Sequence, residues 1–159
     1  KRRGRKNIKL VFIGDGREKN RLQKRVVDEQ LSNCCFLAPM KKQALAQVTG
    51  RLDCGLMILA DVPAFYYGTS PNKFFDYLSA GLPVLCNYPG WIADMVHECG
   101  CGFAVPPRDP AAFADALIRL ADFPDQSAAM GRRARALAER EFGREMLARR
   151  FVQVLASVA

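Results

Sequence analysis

Several kinds of functional site are excluded by residues that the sequence lacks. Its 159 residues include one histidine and no Cys-x-x-Cys pair, so no zinc site of standard ligand spacing can be built. It contains no G-x-x-x-x-G-K-[ST] loop, which excludes a Walker-type phosphate site. Its longest clearly apolar stretch, residues 55–60, is far below the ~20 residues of a membrane-spanning helix. The basic start KRRGRK is not followed by an apolar segment, so we expect no signal peptide.

The overall composition is that of a globular domain. Half of the residues are hydrophobic and 25% are charged, and a chain of this length can bury a substantial core. We therefore expect one domain over residues 1–159. The six cysteines are too few for a disulfide scaffold and fit a reducing compartment, so we expect a cytoplasmic protein.

The positive charge is concentrated at the two ends. Residues 1–25 carry eleven Lys or Arg and residues 131–150 carry seven Arg, although the net charge of the chain is only +8. Such ends contact nucleic acid, contact an anionic membrane, or form a solvated face. No nucleic-acid-binding module is recognisable, so we expect no nucleic-acid partner. A non-enzymatic basic binding module stays open as an alternative.

Short apolar strands alternate with helices along the chain. We predict strands over residues 8–13, 34–37, 54–60, 83–86 and 103–105, with helices over residues 18–30, 43–51, 72–80 and 91–98 between them. Three further helices follow, over residues 111–121, 126–141 and 144–158. This alternation predicts the α/β class, with a Rossmann-like parallel sheet sandwiched by helices. Ligands of such sheets bind beyond the carboxyl ends of the strands.

The richest of the loops at those ends is the predicted loop 61–71. Small residues and hydroxyls precede the helix predicted at Asn72, and the free N–H groups of a helix start bind phosphate. Lys73 adds a cation, and Asp76 lies one turn further along, where a carboxylate can accept from ribose hydroxyls. Together they form a nucleotide-binding set, and the structural alternative is an ordinary N-capped helix.

Four stretches give the sequence a family resemblance: LVFIGDG at 10–16, CFLAP at 35–39, SPNKFFDYLSAGLPV at 70–84 and GFAVPP at 102–107. It resembles the carboxyl-terminal, donor-binding domain of the group-one retaining glycosyltransferases, which have two Rossmann-like domains (the GT-B fold). The likeness is strongest to the branch that builds bacterial surface polysaccharides, lipopolysaccharide O-chains and capsules.

The resemblance implies a set of donor contacts. Asp76 takes the place of the second Glu of the family's Glu-x7-Glu signature and would bind ribose, whereas the first Glu falls at Gly68, which has no side chain. The backbone over Gly68, Thr69, Ser70, Pro71 and Asn72 would then contact sugar and phosphate, helped by Lys73. Pro39 and Met40 would hold uracil, and Gly14 and Gly16 would let the backbone approach the cleft. No catalytic residue is assigned.

The resemblance also implies that the chain is part of a longer enzyme. In the family this domain begins with one more strand and helix, which are missing here, and residues 2–6 are expected to be the end of that helix. The family's amino-terminal acceptor domain is missing as well. The implied reaction is metal-independent, cofactor-free transfer of a sugar from a UDP-sugar with retention, with amino sugars among the expected donors. The expected acceptor is a polysaccharide or a lipid-linked molecule at the inner membrane surface, and this fragment alone is expected to be inactive. A nucleotide-sugar epimerase of the same fold is the alternative enzyme.

Two further aromatic features are left open. Tyr66 and Tyr67 lie in the predicted loop, where one of them could line the sugar site. Trp91 opens a predicted helix and either stacks on the ligand or packs in the core.

Overall fold

The structure is a computed structural model that describes residue 5 and residues 7–158. Apart from Arg5, the stretch expected to end the missing helix lies outside the described residues. The chain divides into two compact units, Lys1–Val48 and Thr49–Ala159, each of which is described separately below.

The first unit is built around a pair of parallel strands. Strand β1 (Leu10–Ile13) pairs with β2 (Cys34–Leu37) in the register Leu10 to Cys34, and the rings of Phe12 and Phe36 stack at 4.8 Å between centroids. Helix α1 (Lys19–Asp28) connects the two strands, and α2 (Lys42–Thr49) follows them.

The second unit is built around three parallel strands in the order β3–β4–β5. They are β3 (Gly55–Met57), β4 (Val84–Cys86) and β5 (Gly102–Ala104). All of β4 is buried, as a continuous apolar run between two neighbouring strands should be. The helices between these strands are α3 (Ala64–Gly68), α4 (Asn72–Ser79) and α5 (Trp91–Glu98).

Three helices complete the second unit: α6 (Pro110–Asp122), α7 (Pro124–Glu141) and α8 (Arg144–Ser157). The start of α6 follows the predicted pattern, because the Asp109 carboxylate accepts from the N–H of Ala112 at 2.8 Å and Pro110 occupies the first turn. All of α8 is described, and none of its residues is buried.

Arginines of α7 hydrogen-bond to the ends of other helices. Arg133 donates to the carbonyl of Gly100, just beyond α5, at 2.7 Å, and Arg135 donates to the carbonyl of Ser79, the last residue of α4. Carbonyls at helix ends lack intrahelical partners and attract cations. Part of the basic charge near the carboxyl end of the chain therefore stabilises the fold.

The fold class is confirmed, with two differences in detail. The five strands in the described part of the chain form two parallel sheets rather than one continuous sheet. The predicted loop 61–71 contains α3, whose start follows Pro63 in helical conformation. Proline suits a helix start because its φ is already fixed near the helical value.

Candidate functional site

The segment between α3 and α4 enters the second helix in an extended conformation. Thr69 and Pro71 have φ/ψ values of −100°/126° and −78°/127°, and Pro71 is the N-cap residue of α4. The N-cap residue Pro71 makes no side-chain cap hydrogen bond, so the alternative of a helix capped by its N-cap side chain is not what the structure shows. Helix geometry leaves the first N–H groups of α4 without intrahelical acceptors. These groups and the helix dipole suit an anion.

Lys73 brings a cation to the first turn of α4. Its side chain is exposed overall, but partial burial lowers the pKa of its ammonium, and an electrostatic interaction with Cys86 opposes that effect. Cys86 is the last residue of β4. Burial raises the pKa of the Cys86 thiol to about 11, which keeps the thiol neutral at physiological pH.

Asp76 lies three residues after Lys73 on the same helix and is partly buried. Residues three apart are neighbours on a helix surface, so the structure places this carboxylate one turn from the helix start on the side that carries Lys73. Phe74 and Leu78 are 0% exposed and hold the other side of α4 in the core. The sequence-predicted grouping of Lys73 and Asp76 next to the turn is therefore present.

There is free space at Gly68, the position where the family signature has its first Glu. Gly68 ends α3 and is exposed, and a Cβ built on it would meet no atom within 4 Å. A side chain at this position would therefore extend into free space. Thr69 and Pro71 are half-buried beside it, whereas Ser70 and Asn72 are exposed.

An asparagine beyond β4 supports the start of the loop. The Asn87 side chain accepts from the N–H of Leu59 at 2.8 Å and donates to the Leu59 carbonyl at 3.1 Å. This amide takes the place of a strand partner, which explains why β3 ends at Met57 although the apolar run continues. Sequence reasoning missed Asn87, whose one signal is a polar residue directly after a buried strand.

A carboxylate connects the loops that follow β3 and β5. Asp61 accepts a hydrogen bond from the hydroxyl of Tyr66 and forms an ion pair with the guanidinium of Arg108. The backbone of Arg108 has a positive φ of 58°. The hydrogen bond to Asp61 raises the pKa of Tyr66. Tyr66 is buried and stacks with Tyr88 at 6.3 Å, whereas Tyr67 is 70% exposed. Of the two tyrosines considered for the sugar site, the buried one has a structural role.

Trp91 is half-buried and packs against the hydrophobic core. Its indole N–H donates to the carbonyl of Thr69 at 3.0 Å, and its ring contacts those of Phe74 and Phe75. Of the two interpretations left open by the sequence, core packing is the one observed.

The remaining predicted contacts belong to the first unit, at the carboxyl ends of its strands. Gly14 has a φ of 127°, which favours glycine, and its N–H donates to the carbonyl of Leu37 at 3.2 Å. The N–H of Gly16 donates to the Asp15 carboxylate at 2.9 Å. Pro39 is exposed and Met40 is half-buried, just beyond β2.

Metal clusters and membrane-spanning helices are both absent from the described residues. Within them no group of three or more His, Cys, Asp or Glu side chains is arranged to hold a metal ion. Among the described helices none is long and apolar enough to cross a bilayer.

Comparison with known proteins identifies the family. The family model described as glycosyl transferases group 1 matches residues 1–122. The chain belongs to the group 1 glycosyltransferases. A search of curated proteins by sequence finds no match for this glycosyltransferase chain.

Solved structures of the same architecture support the fold of this group 1 glycosyltransferase chain. HepE of Anabaena, solved in complex with UDP, matches with a TM-score of 0.83 and 16% identity over 96% of this chain and 42% of its own. Sucrose-phosphate synthase of Thermosynechococcus elongatus matches with a TM-score of 0.79 and 22% identity over 94% of this chain and 38% of its own. WaaG, a glycosyltransferase involved in lipopolysaccharide biosynthesis, matches with a TM-score of 0.65 and 18% identity over 85% and 35%. The chain thus spans about two fifths of the length of these proteins and has the α/β fold of a GT-B half-domain.

Proposed function

We propose that this chain is the carboxyl-terminal, donor-binding domain of a retaining glycosyltransferase that takes a sugar from a UDP-sugar. The observation that carries the proposal is the start of α4, where an uncapped helix end, Lys73 and Asp76 lie within one turn of each other. The match to HepE, which was solved with UDP and with UDP-glucose, supports a uridine nucleotide. Retention is proposed from the family resemblance.

Each group in the site has a proposed task. The N–H groups of Asn72 and Lys73 and the Lys73 ammonium stabilise the negative charge that develops on the leaving diphosphate, without a metal ion or cofactor. Asp76 accepts hydrogen bonds from the ribose hydroxyls, and the backbone from Gly68 to Pro71 contacts the sugar and phosphates. For the first unit we propose that Pro39 and Met40 contact uracil and that Gly14 and Gly16 allow close backbone approach.

The strand pairings support the proposal that the first strand and helix of the domain are missing. In the doubly wound order 3-2-1-4-5-6, strand 2 pairs with strand 3, strands 4, 5 and 6 pair in sequence, and only strand 1 joins the two groups. The two observed groups, β1–β2 and β3–β4–β5, are the ones that remain when strand 1 is removed. Because the chain spans 42% of HepE and 38% of the sucrose-phosphate synthase, we also propose that an acceptor-binding domain of the same enzyme completes the active protein and that this fragment does not turn over alone.

The acceptor and the location remain proposals of the same kind. The match to WaaG, described as a lipopolysaccharide enzyme, supports a polysaccharide or lipid-linked acceptor in lipopolysaccharide or capsule biosynthesis. We propose that the enzyme works in the cytoplasm at the inner face of the membrane. Assaying the full-length enzyme with a panel of UDP-sugars, including amino sugars, and a lipid-linked acceptor tests this proposal, and turnover on a water-soluble acceptor alone would contradict it.

Donor binding can be tested on the chain itself. Trp91 is the single tryptophan and contacts Thr69, so its fluorescence reports on the proposed site. We expect saturable quenching by UDP that is unchanged by EDTA. No binding, or binding abolished by the chelator, would contradict the proposal.

The ribose contact is tested by Asp76→Asn. Losing a hydrogen bond to a charged group costs about 1.5–3 kcal/mol, so we expect UDP binding to weaken by about 10- to 150-fold. Glu98→Gln is the matched control, because Glu98 is an exposed acid at the end of α5. Equal affinity of Asp76→Asn and the wild type would remove Asp76 from the site.

A further inference from the structure

The side chain of Trp91 contacts both ends of the proposed donor-binding turn, residues 69–72. Its indole N–H donates to the carbonyl of Thr69, the first residue of that turn, at 3.0 Å. Its ring meets Phe74 edge-on with centroids 5.7 Å apart and stacks on Phe75 at 6.3 Å, in the first turn of α4. Residues 70–72 therefore lie between two points that Trp91 holds.

The start of α5 fits closely against the end of α3. Gly90, the N-cap residue of α5, has a φ of 117°, and a Cβ at this position would lie 2.4 Å from the carbonyl oxygen of Tyr66. Only glycine combines this backbone conformation with such a close approach. The backbone that carries Trp91 is therefore fixed against the backbone that leads into the turn.

A half-buried indole N–H needs an acceptor, since leaving it unpaired is costly. Thr69 supplies a carbonyl for it from an extended backbone. The hydrogen bond fixes the orientation of the Thr69 peptide, and the contacts with Phe74 and Phe75 fix the start of α4. The direction in which the N–H groups of Asn72 and Lys73 point follows from these two constraints.

We infer that Trp91 is a positioning residue for donor binding: it holds the turn 69–72 so that the helix N–H groups face the diphosphate, without touching the donor itself. This inference rests on the proposed function. It assigns to the indole a role other than stacking on a sugar or a base.

The test compares Trp91→Phe with Ser127→Ala. The first variant keeps an aromatic ring against Phe74 and Phe75 but loses the N–H. The control loses a bond of the same kind, from the Ser127 hydroxyl to the carbonyl of Leu120 at 2.8 Å, at the junction of α6 and α7. We expect Trp91→Phe to weaken UDP binding about fivefold by calorimetry, equivalent to about 1 kcal/mol, and Ser127→Ala to bind normally.

Amide hydrogen exchange of the donor-free chain gives a second readout. We expect faster exchange of the Phe74 amide, which donates to the Pro71 carbonyl at 3.0 Å, in Trp91→Phe and unchanged exchange there in Ser127→Ala. Wild-type affinity in Trp91→Phe, or unchanged exchange in the turn, would overturn the inference. If the wild-type chain binds no uridine nucleotide, the proposed function is refuted, and the donor role of Trp91 is refuted with it. The exchange experiment would still show whether Trp91 holds the turn.

Discussion

Replacing Lys73 with methionine separates a binding role from a stabilising one. The side chain is exposed overall, yet partial burial lowers the pKa of its ammonium, so folding makes the charged form less favourable there. Methionine keeps an apolar stem of similar length and removes the charge. If Lys73 contacts the donor diphosphate, Lys73→Met loses a charge-assisted interaction of about 1.5–3 kcal/mol, or about 10- to 150-fold in affinity for UDP.

Although Lys73→Met should lose affinity for UDP, its free energy of unfolding should stay the same or increase near neutral pH. A lysine whose pKa is lower in the folded than in the unfolded state leaves the unfolded state with more bound protons. Its contribution to the free energy of unfolding therefore rises with pH through the range just below its ordinary pKa of 10.5. Lys73→Met removes this contribution, so we expect equal or higher stability than the wild type near neutral pH, with that difference shifting toward the wild type as the pH approaches 10.

The assay pairs calorimetric titration of UDP with urea unfolding at several pH values. Lys9→Met, which removes another exposed lysine just before β1, controls for the general loss of positive charge. Wild-type affinity in Lys73→Met would refute the reasoning. An equal loss of affinity in both variants would show that nonspecific charge attraction explains the binding.

Three further predictions concern the glycines and the buried thiols. Gly68→Glu extends into open space, so the free energy of unfolding should stay within about 0.5 kcal/mol, while calorimetric affinity should change for UDP-glucose and not for UDP. Gly131→Ala would put a Cβ 2.2 Å from the Gly81 carbonyl oxygen, and urea unfolding should show that the free energy of unfolding falls by about 1–3 kcal/mol. Gly143→Ala should not show this loss, because its Cβ would lie 3.5 Å from its nearest neighbour, the Glu139 carbonyl oxygen. Burial raises the thiol pKa from 9.0 to about 12 for Cys54 and to about 11 for Cys86 and Cys101. The folded state therefore retains more protons than the unfolded state, and the free energy of unfolding should fall as the pH rises above 9. The fall should be smaller in Cys86→Ala, which lacks one of the three thiols.

Each of these predictions has an opposing result. A large destabilisation by Gly68→Glu would contradict the open space at that position. Equal stability of the Gly131 and Gly143 variants would contradict the close contact between α7 and the end of α4. Flat stability up to pH 10.5, measured by urea unfolding, would contradict the burial of the thiols.

Local patterns were sufficient to predict the start of α4 and the order of the elements other than α3, which lies in the predicted loop 61–71. Asp109 and Pro110 predicted the start of α6, and small residues before Asn72 predicted the helix start near Lys73 and Asp76. These signals lie within a few residues of one another, so they can be recognised without knowing the tertiary structure.

The supporting contacts could not be predicted because they join distant positions. Asn87 pairs with Leu59 across 28 residues, and Trp91 reaches Thr69 across 22. Nothing near Leu59 in sequence shows that an asparagine will replace its strand partner, so β3 was predicted to continue three residues beyond its observed end at Met57. The capping of helix ends by Arg133 and Arg135 was hidden in the same way, because a basic stretch looks alike whether it faces solvent or a carbonyl.

The ring of Tyr77 lies directly over Gly55. A Cβ added at Gly55 would lie 2.3 Å from the Tyr77 ring, so the first residue of β3 must be very small wherever an aromatic ring follows Asp76. These two positions are 22 residues apart, and the ring at position 77 restricts which residues position 55 can accept. Homologues that retain the ring but acquire a bulkier residue at the strand start should rotate α4 about its axis and turn Asp76 away from the proposed donor site.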